Sequence, residues 1–258
     1  MEMTVVIAAI ALLAVFSMPT IRALLGTFES DSGTKAMINA ALSSARAIAA
    51  KHQRYAGVRF QKAYNPNEPA KASQYMIFIV HEESKKMGGL TVGFCALENR
   101  KPIKLPDSVG VADLMVRTDL SNASDPNCRQ IEEADLDDPV YITDTSSFSI
   151  IFSPAGKLVI HDLRVRNRDG KINSSAVQSM DDVFNTQTQI THPTYPVGMF
   201  CQDDYADLGL GQEPSRNWFV VYDKAVFNTM GRAERYGYLY DLKKIYINSY
   251  TGRMISTD

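Results

Sequence analysis

Residues 3–21 carry no charged side chain and are mostly Val, Ile, Ala and Leu. An α-helix rises about 1.5 Å per residue, so this run spans roughly 28 Å, close to the ~30 Å hydrocarbon core of a bilayer. One acid, Glu2, precedes the run, and one proline, Pro19, sits near its end. The pattern then changes without a linker. Met37, Ala41, Leu42, Ala45, Ile48 and Ala49 recur at helical spacing, with Lys35, Arg46 and Lys51 between them. The pattern predicts one long helix, membrane-spanning in its first half and amphipathic in its second, with the rest of the chain at its far end. It is expected to bend at the stretch from Glu29 to Gly33, which is poor in helix formers, or around Pro19 and Gly26. Gly57 is expected to end it.

After Gly57 the chain reads as strands and turns. Strands are expected at Val58–Tyr64, Tyr75–His81, Leu90–Leu97, Val111–Arg117, Phe148–Phe152 and Lys157–Ile160, the last continuing toward Arg166. Four more are expected at Trp218–Tyr222, Tyr236–Leu239, Ile245–Asn248 and Arg253–Ile255. Asn65 to Pro69, Lys85 to Gly89 and Ser153 to Gly156 read as turns, and Asp119 to Pro139 as an acidic loop. Met180 to Gln212 is the least regular part. The expected fold class is α+β. A long N-terminal helix (1–56, hydrophobic over 3–21) packs on an antiparallel β-sheet head domain (57–258).

Three meanings of the first 21 residues compete. A cleavable secretory signal wants a basic start and a small-residue cleavage site, whereas Glu2 has the wrong sign and Ser17-Met18-Pro19 is a poor site. A plain signal anchor has no use for Glu2 or for an amphipathic continuation. The third meaning comes from a resemblance. Glu2-Met-Thr-Val-Val-Ile-Ala-Ala-Ile-Ala-Leu-Leu, with Pro19 following Glu2 by 17 residues, resembles the start of type IV pilins and type II secretion pseudopilins. In that family a basic leader ending in Gly is cleaved a few residues before the glutamate. The match implies that this sequence lacks the leader and the first three mature residues. Arg22 and Lys35 alone would hold the body in the cytoplasm by the positive-inside rule; the family's leader supplies the opposing charge.

Two further stretches extend the resemblance. Ala45-Arg46-Ala47-Ile48 leading into Val58-Arg59-Phe60, and the apolar strand Phe148 to Phe152 followed by Ser153-Pro154-Ala155-Gly156, are similar to the GspH/FimT subgroup of that family. The ending Ile247 to Arg253 is similar to that of some large prepilin-like proteins. The resemblance implies a structural subunit that polymerises through its N-terminal helix, with Glu2, Pro19 and Gly26 as subunit-assembly residues. The implied partners are other copies of itself, the inner-membrane assembly platform and a prepilin peptidase. The implied location is the inner membrane before assembly, then a periplasmic or extracellular filament. Two alternatives stand beside it: a minor or tip pseudopilin that initiates a filament, and a membrane-anchored binding module or adhesin that never polymerises.

Little chemistry is marked. No hydrolase elbow, phosphate loop, H-E-x-x-H or dinucleotide glycine pattern occurs, and His52, His81, His161 and His192 are scattered, so no enzyme is expected. Acidic runs at Glu132 to Asp138 and Asp203 to Asp207 lack EF-hand spacing. A solvated acidic loop is the preferred reading, with Asp135, Asp137 and Asp138 as the calcium candidates. Cys95, Cys128 and Cys201 have no C-x-x-C spacing; outside the cytoplasm one disulfide is plausible, Cys95–Cys128 being the favoured pair, and three buried thiols stand as an equal alternative. Lys243, Lys244, Arg232, Arg235 and Arg253 lie among Tyr236, Tyr238, Tyr240, Tyr246 and Tyr250, a mixture that can grip single-stranded DNA. Alternation of Tyr236, Tyr238 and Tyr240 instead predicts one packed strand face. With a net charge of −2, DNA is not the expected partner.

Overall fold

The computed structural model describes residues 32–62, 68, 70–82, 93–97, 100–118, 127–160, 162–165 and 211–256. The expected apolar run 3–21, with Glu2, Pro19 and Gly26, lies outside these residues. So do Cys201, His161, His192 and the second acidic run.

The first described element is a helix over residues 32–52 (α1). It ends at Gln53, whose φ is +52° and whose side-chain amide donates to the carbonyl of Ala50 at 2.7 Å. Gly57 is therefore not the helix terminator that its residue type suggests. It lies inside the first strand, β1 (Ala56–Lys62), where a Cβ would stand 2.2 Å from the Ile150 carbonyl oxygen. Glycine there serves close approach of two strands, a use that sequence cannot distinguish from a helix cap.

The strands that follow are β2 (Gln74–Glu82), β3 (Gly93–Ala96), β4 (Ile103–Lys104), β5 (Val109–Ala112), β6 (Met115–Arg117), β7 (Cys128–Gln130), β8 (Phe148–Phe152) and β9 (Leu158–Val159). After them come β10 (Asp162–Val165), β11 (Gly211–Pro214), β12 (Trp218–Asp223), β13 (Ile245–Ile247) and β14 (Met254–Ser256). The described residues also form helices α2 (Pro139–Thr145), α3 (Lys224–Thr229) and α4 (Arg232–Asp241), with a 3₁₀ turn at Glu133–Asp137.

One sheet runs β11-β10-β3-β2-β1-β8-β9, with β4 paired to β2. A second runs β14-β13-β12-β5, and β6 with β7 forms a ribbon. All pairings are antiparallel except β3 with β10. Val58 sits opposite Phe78 on one side and Ile150 on the other; Phe60 sits opposite Met76 and Phe148. Alternate residues share a face, so Val58 and Phe60 form part of one apolar surface. Phe219 of β12 lies 5.9 Å from Phe60 and 6.5 Å from Phe148, ring to ring, so the second sheet closes on that surface. Gln74 ties the two sheets together at the edge of β5. Its side-chain amide donates to the Val111 carbonyl and accepts from the Val111 N–H, both at 2.8 Å, standing in for a backbone neighbour.

Two expected strands differ in the structure. Val111–Arg117 is interrupted: Leu114 takes φ +54°, and β5 and β6 part company there. Tyr236–Leu239 is helical, within α4. Period-two tyrosines suggested a strand, but the Glu234 carboxylate accepts the Gly231 N–H at 2.9 Å, a helix-start contact. Tyr236 and Tyr240 are then one turn apart and their rings pack at 4.5 Å.

Candidate functional site

Helix α1 has two distinct faces. Ile38, Ala41, Leu42, Ala45 and Ala49 are buried in the main core, with Met37 and Ile48 packed at its margin. Three of these five are alanines, so the helix backbone comes close to the sheet. Polar contacts fix its position. The Arg46 Nε donates to the Gly156 carbonyl at 2.8 Å and its Nη1 to that of Thr251 at 3.2 Å. Those carbonyls belong to the β8–β9 turn and the β13–β14 turn, so one side chain clamps α1 to both sheets. Gly156 has φ +72° and a Cβ there would stand 3.0 Å from the Arg46 Nε. Glycine is required by the backbone and by the clamp together.

The opposite face consists of Gly33, Ala36, Ala40, Ser43, Ala47 and Ala50, all exposed. No side chain on this stripe is larger than Ser. Small residues let another helix approach closely, because little side-chain bulk intervenes. The apolar repeat from Met37 to Ala49 does not reveal this stripe; its signal is the recurrence of small residues at three- and four-residue intervals.

Away from α1, the body buries two polar groups. Asp113 is fully buried at the break between β5 and β6. It accepts from the Arg216 Nε at 2.6 Å, from the Met115 N–H at 3.0 Å and from the Thr145 hydroxyl at 3.3 Å. The second group is a pair of lysines. Lys62 is fully buried and donates to the Ala70 carbonyl at 3.4 Å; Lys224 is almost fully buried and donates to that of Ala72 at 2.7 Å. Burial, and then the nearby Lys224 ammonium, push Lys62 down to about 7. Burial pushes Lys224 down to about 8, against the opposing pull of Asp107.

The acidic run is organised by arginines. Both oxygens of Asp135 accept from Arg129, at 2.6 and 2.7 Å, and one also accepts the Glu132 N–H. The Arg129 hydrogen bonds hold its carboxyl below the usual range, against the opposing effect of burial. Asp137 accepts from Arg232 at 2.9 Å. Asp138 follows the 3₁₀ turn, its N–H bonded to the Asp135 carbonyl. Among the described residues no group of three or more His, Cys, Asp or Glu is placed to hold a metal ion. Cys128 is a half-buried thiol on β7. Cys95 is on β3, and its side chain lies outside the described residues, so the expected Cys95–Cys128 pairing does too.

The C-terminal basic and aromatic residues do not form one array. Tyr238 accepts the Asp223 N–H and Tyr240 donates to the Ile131 carbonyl, so α4 is stitched inward. Lys244 stands 4.5 Å over the Trp218 ring and Lys157 5.7 Å over that of Tyr250. His81 packs edge-on against Phe94 and Tyr55. No described helix is long and apolar enough to cross a membrane. No family model matches the chain, and no curated protein or solved structure matches it.

Proposed function

We propose that this chain is a non-enzymatic filament subunit of the type IV pilus or type II secretion pseudopilus kind, assembled through its N-terminal helix. The observation that carries the reading is the two-faced α1. One face is sunk in a sheet domain, and the other is a clean stripe of Gly, Ala and Ser. Upstream of it lie the uncharged run 3–21, Glu2 and Pro19. A free-standing anchor needs the apolar run but gains nothing from a small-residue stripe or an acid before the run.

The mechanism follows from solvent. The apolar half-helix sits in the membrane, then moves into a bundle of identical helices. Both environments are dry, so the transfer changes apolar burial little. Head-to-tail contacts with a rotation that does not close generate an open helix. A lone carboxylate in such a dry core is costly unless paired. In the proposed filament Glu2 pairs with the terminal amine of a neighbour and sets the axial register. The head faces water.

Two substitutions test this. Glu2→Ala is expected to leave a membrane-inserted, protease-resistant head and few or no filaments by negative-stain microscopy. Ala40→Trp, on the exposed stripe, is expected to do the same, with an unchanged melting temperature of the unassembled chain. Filaments of normal number and length in both variants would sink the proposal.

A further inference from the structure

The sheet β14-β13-β12-β5 is covered on both sides at β12 and β5. Alternate strand residues point to opposite faces. Phe219 and Val111 enter the main core, whereas Val220, Tyr222 and Ala112 enter a second, separate core on the outward face. Leu114 and Val116 from β6 and its approach, Ile131 after β7, Leu136 of the 3₁₀ turn and Leu239 of α4 complete that second core. The elements of this outer layer are tied to one another. The Tyr240 hydroxyl donates to the Ile131 carbonyl at 3.1 Å, and Arg232 meets Asp137 at 2.9 Å and Glu133 at 3.6 Å. So α4 is joined to β7 and the 3₁₀ turn from far along the chain. The layer is entered at Leu114, whose φ of +54° is a left-handed conformation that few non-glycine residues take. Asp113 beside it accepts the Met115 N–H and the Thr145 hydroxyl, so the stretch from β6 to α2 starts and ends at one carboxylate. The second stretch, α4, is entered at Gly231, its N-cap.

We propose that β6, β7, the 3₁₀ turn, α2 and α4 form a flap that opens as one unit, turning at Leu114 and Gly231, while both sheets and α3 stay folded. Because its core is separate, the flap lifts without disturbing the packing between the sheets. Its internal ties make the two stretches move together. Units of this size, with their own apolar contacts, open at a lower free energy than the whole body unfolds. Opening also frees Leu114 from its left-handed backbone. It uncovers Val220 and Tyr222 on the outward face of β12, beside Trp218. Trp218 pairs with Tyr246 and Tyr246 with Ile255, and the last two are already exposed. The flap therefore gates an apolar strip that crosses β12, β13 and β14. The inference does not depend on polymerisation.

The test is native-state hydrogen exchange of the full-length chain, in nonionic detergent, read by mass spectrometry at urea concentrations below the unfolding transition. Peptides covering β7 to α2 and peptides covering α4 should show one common protection and one common urea dependence. Their protection should be at least about a hundredfold lower than that of β1, β2 and β8. Their urea dependence should be shallower, because opening exposes less surface than unfolding. Two matched substitutions separate the cores. Ile150→Val, in the main core, should speed exchange of β1, β2 and β8 about 2–10-fold and leave the flap unchanged, because Ile150 keeps its contacts while the flap is open. Ile131→Val, in the flap's core, should speed both sets by the same factor, about 2–10-fold, because every global unfolding event also opens the flap. Equal protection and urea dependence for flap and strands would show one cooperative body and overturn the proposal. Unequal protection of the two flap stretches, which means independent fraying, also overturns it. So does faster flap exchange in Ile150→Val, which would show that the main core holds the layer.

Discussion

Asp113→Ala is expected to lower the unfolding free energy by about 3–5 kcal/mol, the cost of leaving a buried charge without its partner. The partner is the guanidinium of Arg216, whose Nε lies 2.6 Å from the carboxylate. Only 10% of the Arg216 side chain is exposed, and none of that of Asp113, so water cannot replace what is removed. Three parts of the chain meet at this carboxylate: the β5–β6 break through Met115, the end of α2 through Thr145, and the approach to β12 through Arg216. Arg216 also donates its backbone N–H to the Ser149 carbonyl of β8 at 2.9 Å, so the joint reaches the larger sheet. The loss should appear as a fall in melting temperature of about 6–20 °C, at about 2–4 °C per kcal/mol for a body of this size. Asp113→Asn separates charge from shape. It keeps an acceptor for the Met115 N–H but removes the ion pair, and should recover less than half of the loss. A loss under about 1 kcal/mol in Asp113→Ala would show that Arg216 finds water or another partner, and the joint would not be what holds the sheets.

Lys62→Met is expected to stabilise the protein at pH 6, by about 2–4 kcal/mol, and to flatten its pH dependence. In the folded chain burial holds Lys62 at about 7 rather than 10.5. The unfolded chain therefore binds more protons than the folded one between about pH 7 and 10.5, and stability rises with pH across that window. Below about pH 7 both states are protonated and the full cost is present. A tenfold change in proton affinity is worth about 1.4 kcal/mol, which puts that cost at about 4–5 kcal/mol. Met has a similar length and no charge. It forfeits the 3.4 Å contact with the Ala70 carbonyl, a long hydrogen bond worth about 1 kcal/mol or less. Urea titrations at pH 6 and pH 9 measure both effects. A variant less stable than the parent at pH 6, with an unchanged slope between the two pH values, would show that the ammonium is not held in a dry site. Lys224, pushed down to about 8, retains a smaller slope of the same sign in the variant.

Periodicity is visible without tertiary structure. The amphipathic repeat through Ala41, Leu42, Ala45 and Ala49 locates α1's buried stripe, because side chains three and four apart share a helix face whatever they pack against. The strands β1, β2, β8, β12 and β13 are likewise legible, since runs rich in Val, Ile, Phe and Tyr fit a pleated sheet surface. The uncharged run 3–21 and its flanking Glu2 and Pro19 are facts of sequence, and the proposed function leans on them. Contacts between distant residues decided the rest. Tyr236, Tyr238 and Tyr240 have strand spacing, yet the bonds of Tyr238 to Asp223 and of Tyr240 to Ile131 hold them in a helix. The break at Asp113 exists because Arg216, over a hundred positions away in the chain, supplies the opposing charge. Lys62 ends a strand in a polar stretch of the sequence, and the packing around it is what buries it. Local pattern determines which face a side chain takes, whereas burial, pairing and cavity shape depend on what the rest of the chain brings to that face.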